Sequence, residues 1–204
     1  MKIEHSEVFG FCAALRGMRN PMGSWSKGDS KYYIGISGKN ENVENFFLGK
    51  HDAELSRKLT KAGSEHCKHL RMIQVWVDLT LPRFIWSEFD TYHFNTKNSC
   101  STMHTIHKRE LTQDDFEYEI HQGALSHLNH IIQMRKSDKL CANEFIHTIK
   151  NHLPDGFLQK RTVNTNYSEL LNIYKQRENH RLEQWHEITR WIESLPYFTE
   201  LTGA

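Results

Sequence analysis

The residues best equipped for chemistry lie in a few short stretches. Asn98, Ser99, Cys100, Ser101 and Thr102 bring three hydroxyls, a thiol and consecutive backbone amides together, a set suited to cradling a phosphate or a pyrimidine edge. An Asn/Ser turn that satisfies its own backbone has the same composition, so the run by itself leaves both readings open. Cys100 carries the group that adds to a pyrimidine ring as a thiolate, against the commoner fate of a free cysteine as an inert side chain. Lys150 and Arg177 read either as anion ligands or as solvated charges at helix ends. Asn166 and Asn172 offer amides, yet six residues along a straight helix is a rotation of about 240°, so they need not converge. Arg16 and Arg19 in ALRGMRNP form a small basic turn for a phosphate or for a carboxylate within the fold. His66, Cys67, His69, His104 and His107 are ligand types for zinc, but HCxH is not a standard paired spacing, and no metal site is expected.

Two longer segments frame these residues: PRFIWSEFDTYHFNTKNSCSTMH from Pro82 to His104, and NYSELLNIYKQRENHRLEQW from Asn166 to Trp185. Together they resemble the flavin-dependent thymidylate synthases, whose signature is RHRxxSxNExSxR after a strand and whose C-terminal helix carries two Asn and an Arg. With Asn98 and Ser101 on the matching Asn and Ser, Thr91, Tyr92 and His93 stand where that family has RHR, Ser99 replaces the Glu, and Met103 replaces the last Arg. Counting back from Arg177 puts Asn172, Asn166 and Lys150 on the family's Asn, Asn and phosphate-binding Arg, with Lys150 three residues before Leu153-Pro154. GSEHCKHLRMIQVWVDLTLPRF resembles the family's approach to its strand and makes His69 the equivalent His. The resemblance covers roughly residues 52 to 194.

The resemblance implies an α/β (α+β) domain with helices packed on an antiparallel-rich sheet. It implies a pyrimidine-nucleotide-modifying enzyme that moves a one-carbon unit from a folate donor, methylenetetrahydrofolate, to C5 of a dUMP-like substrate, with FAD as cofactor and NADPH as reductant. Substrate contacts then fall to Lys150, Arg177, Glu88, Ser99, Cys100 and Ser101, with Arg177 and Ser101 at the chemistry. Cofactor contacts fall to His69, Tyr92, His93, Asn98, Asn166 and Asn172. A homotetramer with sites between subunits is implied, and the pattern is similar to phage- or prophage-encoded relatives. Thr91 and Tyr92 cannot imitate the bidentate guanidinium clamp. That leaves a flavin-free hydroxymethylase and a non-catalytic nucleotide-binding or assembly protein as alternatives.

Composition narrows the partners. A chain of 204 residues with 38% hydrophobic content and net charge +1 can bury one sizeable core, and a single domain over 1–204 is expected, with a loop-rich part over 1–50. The near-neutral charge argues against binding nucleic-acid polymers or anionic membranes. No apolar run reaches the roughly 20 residues that span a bilayer, and MKIEHSEVF lacks a signal h-region, so a cytoplasmic protein is expected. Cys12, Cys67, Cys100 and Cys141 are spaced like reduced thiols.

The elements that must position these groups are readable in outline. Residues 20 to 50, with Gly23, Gly28, Gly35, Gly38 and Gly49, favour turns. Asp52 is expected to cap a helix that Gly63 stops. Ile73, Val75, Val77 and Leu79 alternate with polar residues as a strand over 72–80. Pro82 ends it, and a short helix over 84–92 feeds a loop through Asn95 and Asn98 that should carry the site. Helical spacing recurs at Leu125, Leu128, Ile131 and Ile132, and at Phe145, Ile146 and Ile149. Helices over 167–175 and 182–195 follow, separated by Glu178-Asn179-His180. Trp76, Trp86, Trp185 and Trp191 read as core or subunit interface.

Overall fold

A computed structural model describes residues 1–32 and 46–204. Strand β1 (Lys2–Phe9), helix α1 (Phe11–Met18), strands β2 (Lys31–Tyr32) and β3 (Phe46–Phe47), and helix α2 (Lys50–Ala62) come first. Strand β4 (Gln74–Pro82), α3 (Arg83–Phe89), β5 (Thr96–Ser99), α4 (Thr102–Thr105), α5 (Gln122–Lys136) and α6 (Ala142–His152) follow. The chain ends in β6 (Leu158–Asn166), α7 (Tyr167–Arg177), α8 (Glu183–Glu193) and α9 (Phe198–Thr202). The main sheet has the order β1-β4-β6-β5, and β2 pairs with β3 antiparallel. This is the expected combination of helices with an antiparallel sheet. The chain divides into two compact units: Met1–Lys2, Leu79–Thr91 and Asn98–Thr162 form one, here the α5–α6 unit, and Ile3–Asp78, Tyr92–Lys97 and Val163–Ala204 the other, here the α7–α8 unit.

The α5–α6 unit is built on apolar spacing. Leu125, Leu128, Ile131 and Ile132 of α5 face Phe145 and Ile149 of α6, closed by Ile106, Leu111, Phe116, Leu153 and Phe157. Each large side chain buried in this way contributes about 1.5–3 kcal/mol. Cys141 and Glu144 cap α6 reciprocally. Helix α3 starts directly after Pro82, one residue before the expected 84, and stops at Phe89, so the expected reach to Tyr92 is not made; Pro82 at its N-cap cannot continue the strand ladder. It is anchored by Trp86, whose indole N–H donates to the Gln159 carbonyl at 2.8 Å while the Arg161 guanidinium lies 4.2 Å from its ring centre.

In the α7–α8 unit, Ile73, Val75 and Val77 are buried as their alternation requires, whereas Trp76 on the opposite face is 38% exposed. Trp185 is in the core, and Trp191 donates to Ser6 Oγ at 2.9 Å. Gly10 turns β1 into α1 with φ +106, and a Cβ there would sit 2.4 Å from the Met72 carbonyl oxygen, so only glycine fits. Residues 2–18 are therefore regular, and the loop-rich stretch begins only at Asn20, where two 3-10 turns precede β2. The remainder of the expected excursion, including Gly35 and Gly38, lies outside the described residues.

Two local expectations are revised. Asp52 does not cap α2, which starts earlier at Lys50; it is buried within the first turn and paired with Arg19, whose Nε and Nη2 lie 2.7 and 2.6 Å from Oδ1. The capping carboxylate is Asp29, which accepts the His51 and Asp52 N–H groups at 2.9 and 3.0 Å, while Asp52 Oδ2 accepts the N–H groups of Asp29 and Ser30. Burial acts to raise the Asp29 pKa, but the backbone N–H groups of His51 and Asp52 outweigh it and hold the carboxyl below its usual range. Thr96–Ser99 is strand rather than loop, so Asn98 and Ser99 lie on β5. Strands β1 and β6 have no apolar alternation to announce them: of the residues of β6 only Val163 and Thr165 are buried.

Candidate functional site

A cavity of about 370 Å³ opens in the α7–α8 unit at the N-terminal end of α7. Asn166, Ser168, Glu169, Asn172 and Lys175 supply the α7 wall, Arg71 and Phe94 come from neighbouring segments, and Thr60, Gly63, Ser64 and Cys67 complete it. Asn166 is the N-cap of α7, and its carbonyl oxygen accepts the Glu169 N–H at 3.1 Å. The 240° separation expected for a straight helix does not apply, because Asn166 precedes the first helical turn. Ser168, Asn172 and Lys175 follow at helical spacing on one face, and both asparagines reach the same cavity.

The chemistry of this wall is dominated by donors. Asn166 spends its oxygen on its own helix, which leaves its amide N–H groups for a ligand. Arg71 and Lys175 are exposed cations, and the first-turn N–H groups of α7 add their dipole. Glu169 is buried and accepts the Phe94 N–H at 3.3 Å, so it fixes the segment that carries Phe94. Phe94 lines the cavity and is 71% exposed as a residue, which leaves its side chain accessible to a planar ligand. Thr60 Oγ1 on the wall is buried with no partner among the described residues.

Behind α7 lies a cluster built on Arg177. Its guanidinium carbon stands 4.6 Å from the Trp185 ring centre and 5.7 Å from that of Tyr92. Arg177 Nε donates to Tyr92 Oη at 2.8 Å, Tyr92 donates to Gln176 Oε1 at 3.1 Å, and Gln176 Nε2 donates to Asn172 Oδ1 at 2.9 Å. Tyr92 is thus buried and committed to Arg177, while His93 beside it is exposed. His69 lies in the interior rather than on the cavity wall. Ser56 Oγ donates to the Leu201 carbonyl at 2.7 Å, so His69 Nε2 donates to Ser56 at 2.7 Å. Nδ1 of His69 has no partner among the described residues, and burial pushes the imidazole down to about 4.

The remaining predicted residues belong to the α5–α6 unit. Asn98, Ser99 and Cys100 are exposed, Ser101 is half-buried, Glu88 is half-buried on α3, and Lys150 is exposed on α6. Backbone groups of this stretch are satisfied: the Cys100 N–H donates to the Lys160 carbonyl at 2.9 Å, Gln159 Nε2 donates to the Cys100 carbonyl at 2.9 Å, and the Ser101 carbonyl accepts from Thr105 Oγ1 at 2.7 Å. Cys100 Sγ contacts Thr105 Oγ1 at 3.7 Å. Among the described residues, no group of three or more His, Cys, Asp or Glu gathers in a metal-holding arrangement. Of the basic turn, Arg19 has its carboxylate in Asp52, whereas exposed Arg16 lines a second cavity of about 290 Å³ with Trp25, Tyr32 and Phe46.

Arg71, Phe94, Ser168 and Lys175 were not singled out from the sequence. Ser168, Asn172 and Lys175 carry a legible signal, their i, i+4, i+7 spacing; Arg71 and Phe94 carry none, since tertiary placement alone brings them to α7.

No family model and no curated protein matches the sequence. Solved structures do match. The crystal structure of thymidylate synthase X (ThyX) from Helicobacter pylori with FAD and dUMP superposes with a TM-score of 0.72 over 98% of this chain and 96% of that one, at 12% identity. A second structure of the flavin-dependent thymidylate synthase ThyX from Helicobacter pylori, complexed with FAD and dUMP, gives 0.71 with the same coverage and identity. The chain therefore has the fold of the flavin-dependent thymidylate synthases.

Proposed function

We propose that the protein is a pyrimidine-nucleotide-modifying enzyme of the flavin-dependent thymidylate synthase type, which transfers a one-carbon unit from methylenetetrahydrofolate to C5 of a dUMP-like nucleotide with NADPH as reductant. The observation that carries this reading is the donor-lined cavity at the start of α7, in a fold shared with a protein crystallised with FAD and dUMP. At about 370 Å³ the cavity lies within the range of about 300–1,000 Å³ usual for ligand pockets and takes one nucleoside portion of a dinucleotide. Its donors suit an acceptor-rich base and phosphate, Phe94 offers a stacking face, and the orphaned Thr60 hydroxyl awaits a polar group. The residues present therefore fit the adenosine end of FAD, with Asn166, Asn172, Arg71 and Lys175 holding it. When bound, the flavin supplies the hydride that reduces the transferred carbon.

In the same proposal the α5–α6 unit offers Lys150 and Ser101 to a substrate phosphate, with Glu88, Ser99 and Cys100 around them, and the α7–α8 unit offers Arg177 to the charge at a pyrimidine carbonyl edge. His93 and His69 of the α7–α8 unit, and Asn98 of the α5–α6 unit, are the other cofactor residues that the resemblance implies. Assembly into a homotetramer supplies sites from more than one chain, and the enzyme works in the cytoplasm; among the described residues no helix is long and apolar enough to cross a membrane. One observation favours the alternatives, a flavin-free hydroxymethylase or a nucleotide binder without catalysis. Where the family has RHR this chain has a buried Tyr92 bonded to Arg177, with no guanidinium at that position.

The purified protein separates these readings by its spectrum and its ligands. An absorbance band at about 450 nm marks bound oxidised flavin, and calorimetry with dUMP, dCMP and dTMP ranks the nucleotides. Flavin absorbance together with dUMP binding supports the synthase reading. Nucleotide binding without flavin moves it to the flavin-free alternatives, and binding of neither removes the nucleotide site.

A further inference from the structure

The polarity of the hydrogen bonds from Arg177 to the cavity is fixed at every step. A guanidinium has donors and no acceptor, so the Tyr92 oxygen accepts from Arg177 Nε at 2.8 Å and its single hydroxyl proton is directed to Gln176 Oε1 at 3.1 Å. With its oxygen thus engaged, Gln176 turns its NH2 toward Asn172 Oδ1 at 2.9 Å. With Oδ1 held by Gln176, Asn172 turns its NH2 toward the cavity that it lines. The root of this chain cannot rotate, because Arg177 is stacked on Trp185 and Tyr92 is buried against the Trp185 ring at 6.2 Å between centroids.

We infer that Arg177, Tyr92 and Gln176 form a polarity relay that makes Asn172 a hydrogen-bond donor to the ligand, so that Tyr92 and Gln176 are positioning residues and Asn172 selects a ligand edge bearing an acceptor. Asn166, whose oxygen is committed to the Glu169 N–H, presents the same polarity from the N-cap. Two amide donors with fixed orientation select an unprotonated ring nitrogen or a carbonyl or phosphate oxygen, and reject an edge that offers an N–H at those points. The inference rests on the reading of this cavity as a nucleotide site. Tyr92 therefore has a role that the RHR frame does not contain.

Gln176→Glu breaks the relay with little disturbance, since Gln176 is exposed. A carboxylate has only acceptors, so Asn172 must turn its NH2 to Glu and its oxygen to the cavity. Tyr92→Phe keeps the buried ring and removes the hydroxyl. In the ligand-free protein, an Asn172 side-chain amide proton should move downfield in Gln176→Glu, and the Asn172 amide signals should also change in Tyr92→Phe. Identical signals in all three proteins overturn the relay whether or not any ligand binds. In FAD titrations, Gln176→Glu should weaken binding by roughly tenfold in the wild-type background, as for loss of one good hydrogen bond with reversal of its partner, and have no further effect in Asn172→Ala. Equal weakening in both backgrounds assigns the effect to charge and overturns the relay. If the wild type binds no FAD, the functional reading fails and the amide signals alone decide the relay.

Discussion

The cavity wall at α7 and the hydroxyl-rich stretch 98–102 carry similar polar groups but hold them in opposite ways. On α7, Asn166 and Asn172 each spend one atom on the protein, which leaves the complementary atom aimed by the helix. In 98–102 the backbone is satisfied through Lys160, Gln159 and Thr105, while the side chains of Asn98, Ser99 and Cys100 stand exposed. A group held by half of its own hydrogen bonds is preorganised, whereas exposed side chains such as Asn98 and Ser99, on a stretch held mainly through its backbone, retain more rotamer freedom. Under the proposed function, a ligand would meet donors already oriented at α7 but would have to order the side chains of 98–102 itself.

The two units differ in the same sense in their ion pairs, which gives the largest expected effect. Arg19 and Asp52 are buried together in the α7–α8 unit, whereas Arg161 and Asp90 in the other unit form a pair with Asp90 about half exposed. Arg19→Ala leaves the buried Asp52 carboxylate without its cation, held only by the Asp29 and Ser30 N–H groups, and should cost about 3 kcal/mol; Arg161→Ala breaks a more exposed pair whose charge contributes at most about 1 kcal/mol. Urea denaturation of both variants checks the contrast, and equal losses would break it.

A second effect is confined to the interior of the α7–α8 unit. Burial holds His69 at about 4, below its ordinary 6.5, so the unfolded chain binds this proton more readily than the folded one. The stability due to neutral His69 is complete above pH 6.5, declines as pH falls, and is lost below about pH 4. The shift corresponds to about 3 kcal/mol. His69→Gln, which retains a donor for Ser56, should flatten the fall in stability between pH 6.5 and 4 by that amount, measured as denaturation free energy against pH. An unchanged slope would remove His69 as the source of that fall.

Smaller and more selective effects are expected in binding. Lys150→Ala should weaken dUMP and leave FAD unchanged, whereas Arg71→Ala with Lys175→Ala should weaken FAD and leave dUMP unchanged. Each lost charge-assisted contact is worth roughly 1.5–3 kcal/mol, about tenfold or more in affinity. Calorimetry with both ligands on both variants sharpens the division of roles, and a crossed result would reverse it.

Much of the scaffold was legible in the sequence because burial there follows a period. Ile73, Val75 and Val77 mark β4, Leu125 to Ile132 mark α5, and Gly63 ends α2. What was hidden has no period. Strand β6 reads LQKRTVNTN and is strand because neighbouring strands pair with it, an outcome of context that propensity does not carry. Asp52 has the residue type of a cap, but it is claimed by a partner 33 residues away. At the site, Asn166 and Asn172 were legible through a resemblance and their convergence was not, since it depends on where α7 begins. The placement of Arg71 and Phe94 beside them is set by packing alone.

Whether the α7 wall binds a nucleotide through amide donors is decided by Asn166→Asp. Aspartate keeps the N-cap to the Glu169 N–H, so stability should change by less than about 0.5 kcal/mol, while the donor facing the cavity becomes an acceptor. The measurement is FAD titration of wild type and Asn166→Asp at neutral pH, followed by flavin fluorescence. The wild type should bind, and the variant, with unchanged thermal stability, should bind roughly tenfold or more weakly. Equal affinity in the two proteins, or no binding by the wild type, would contradict it.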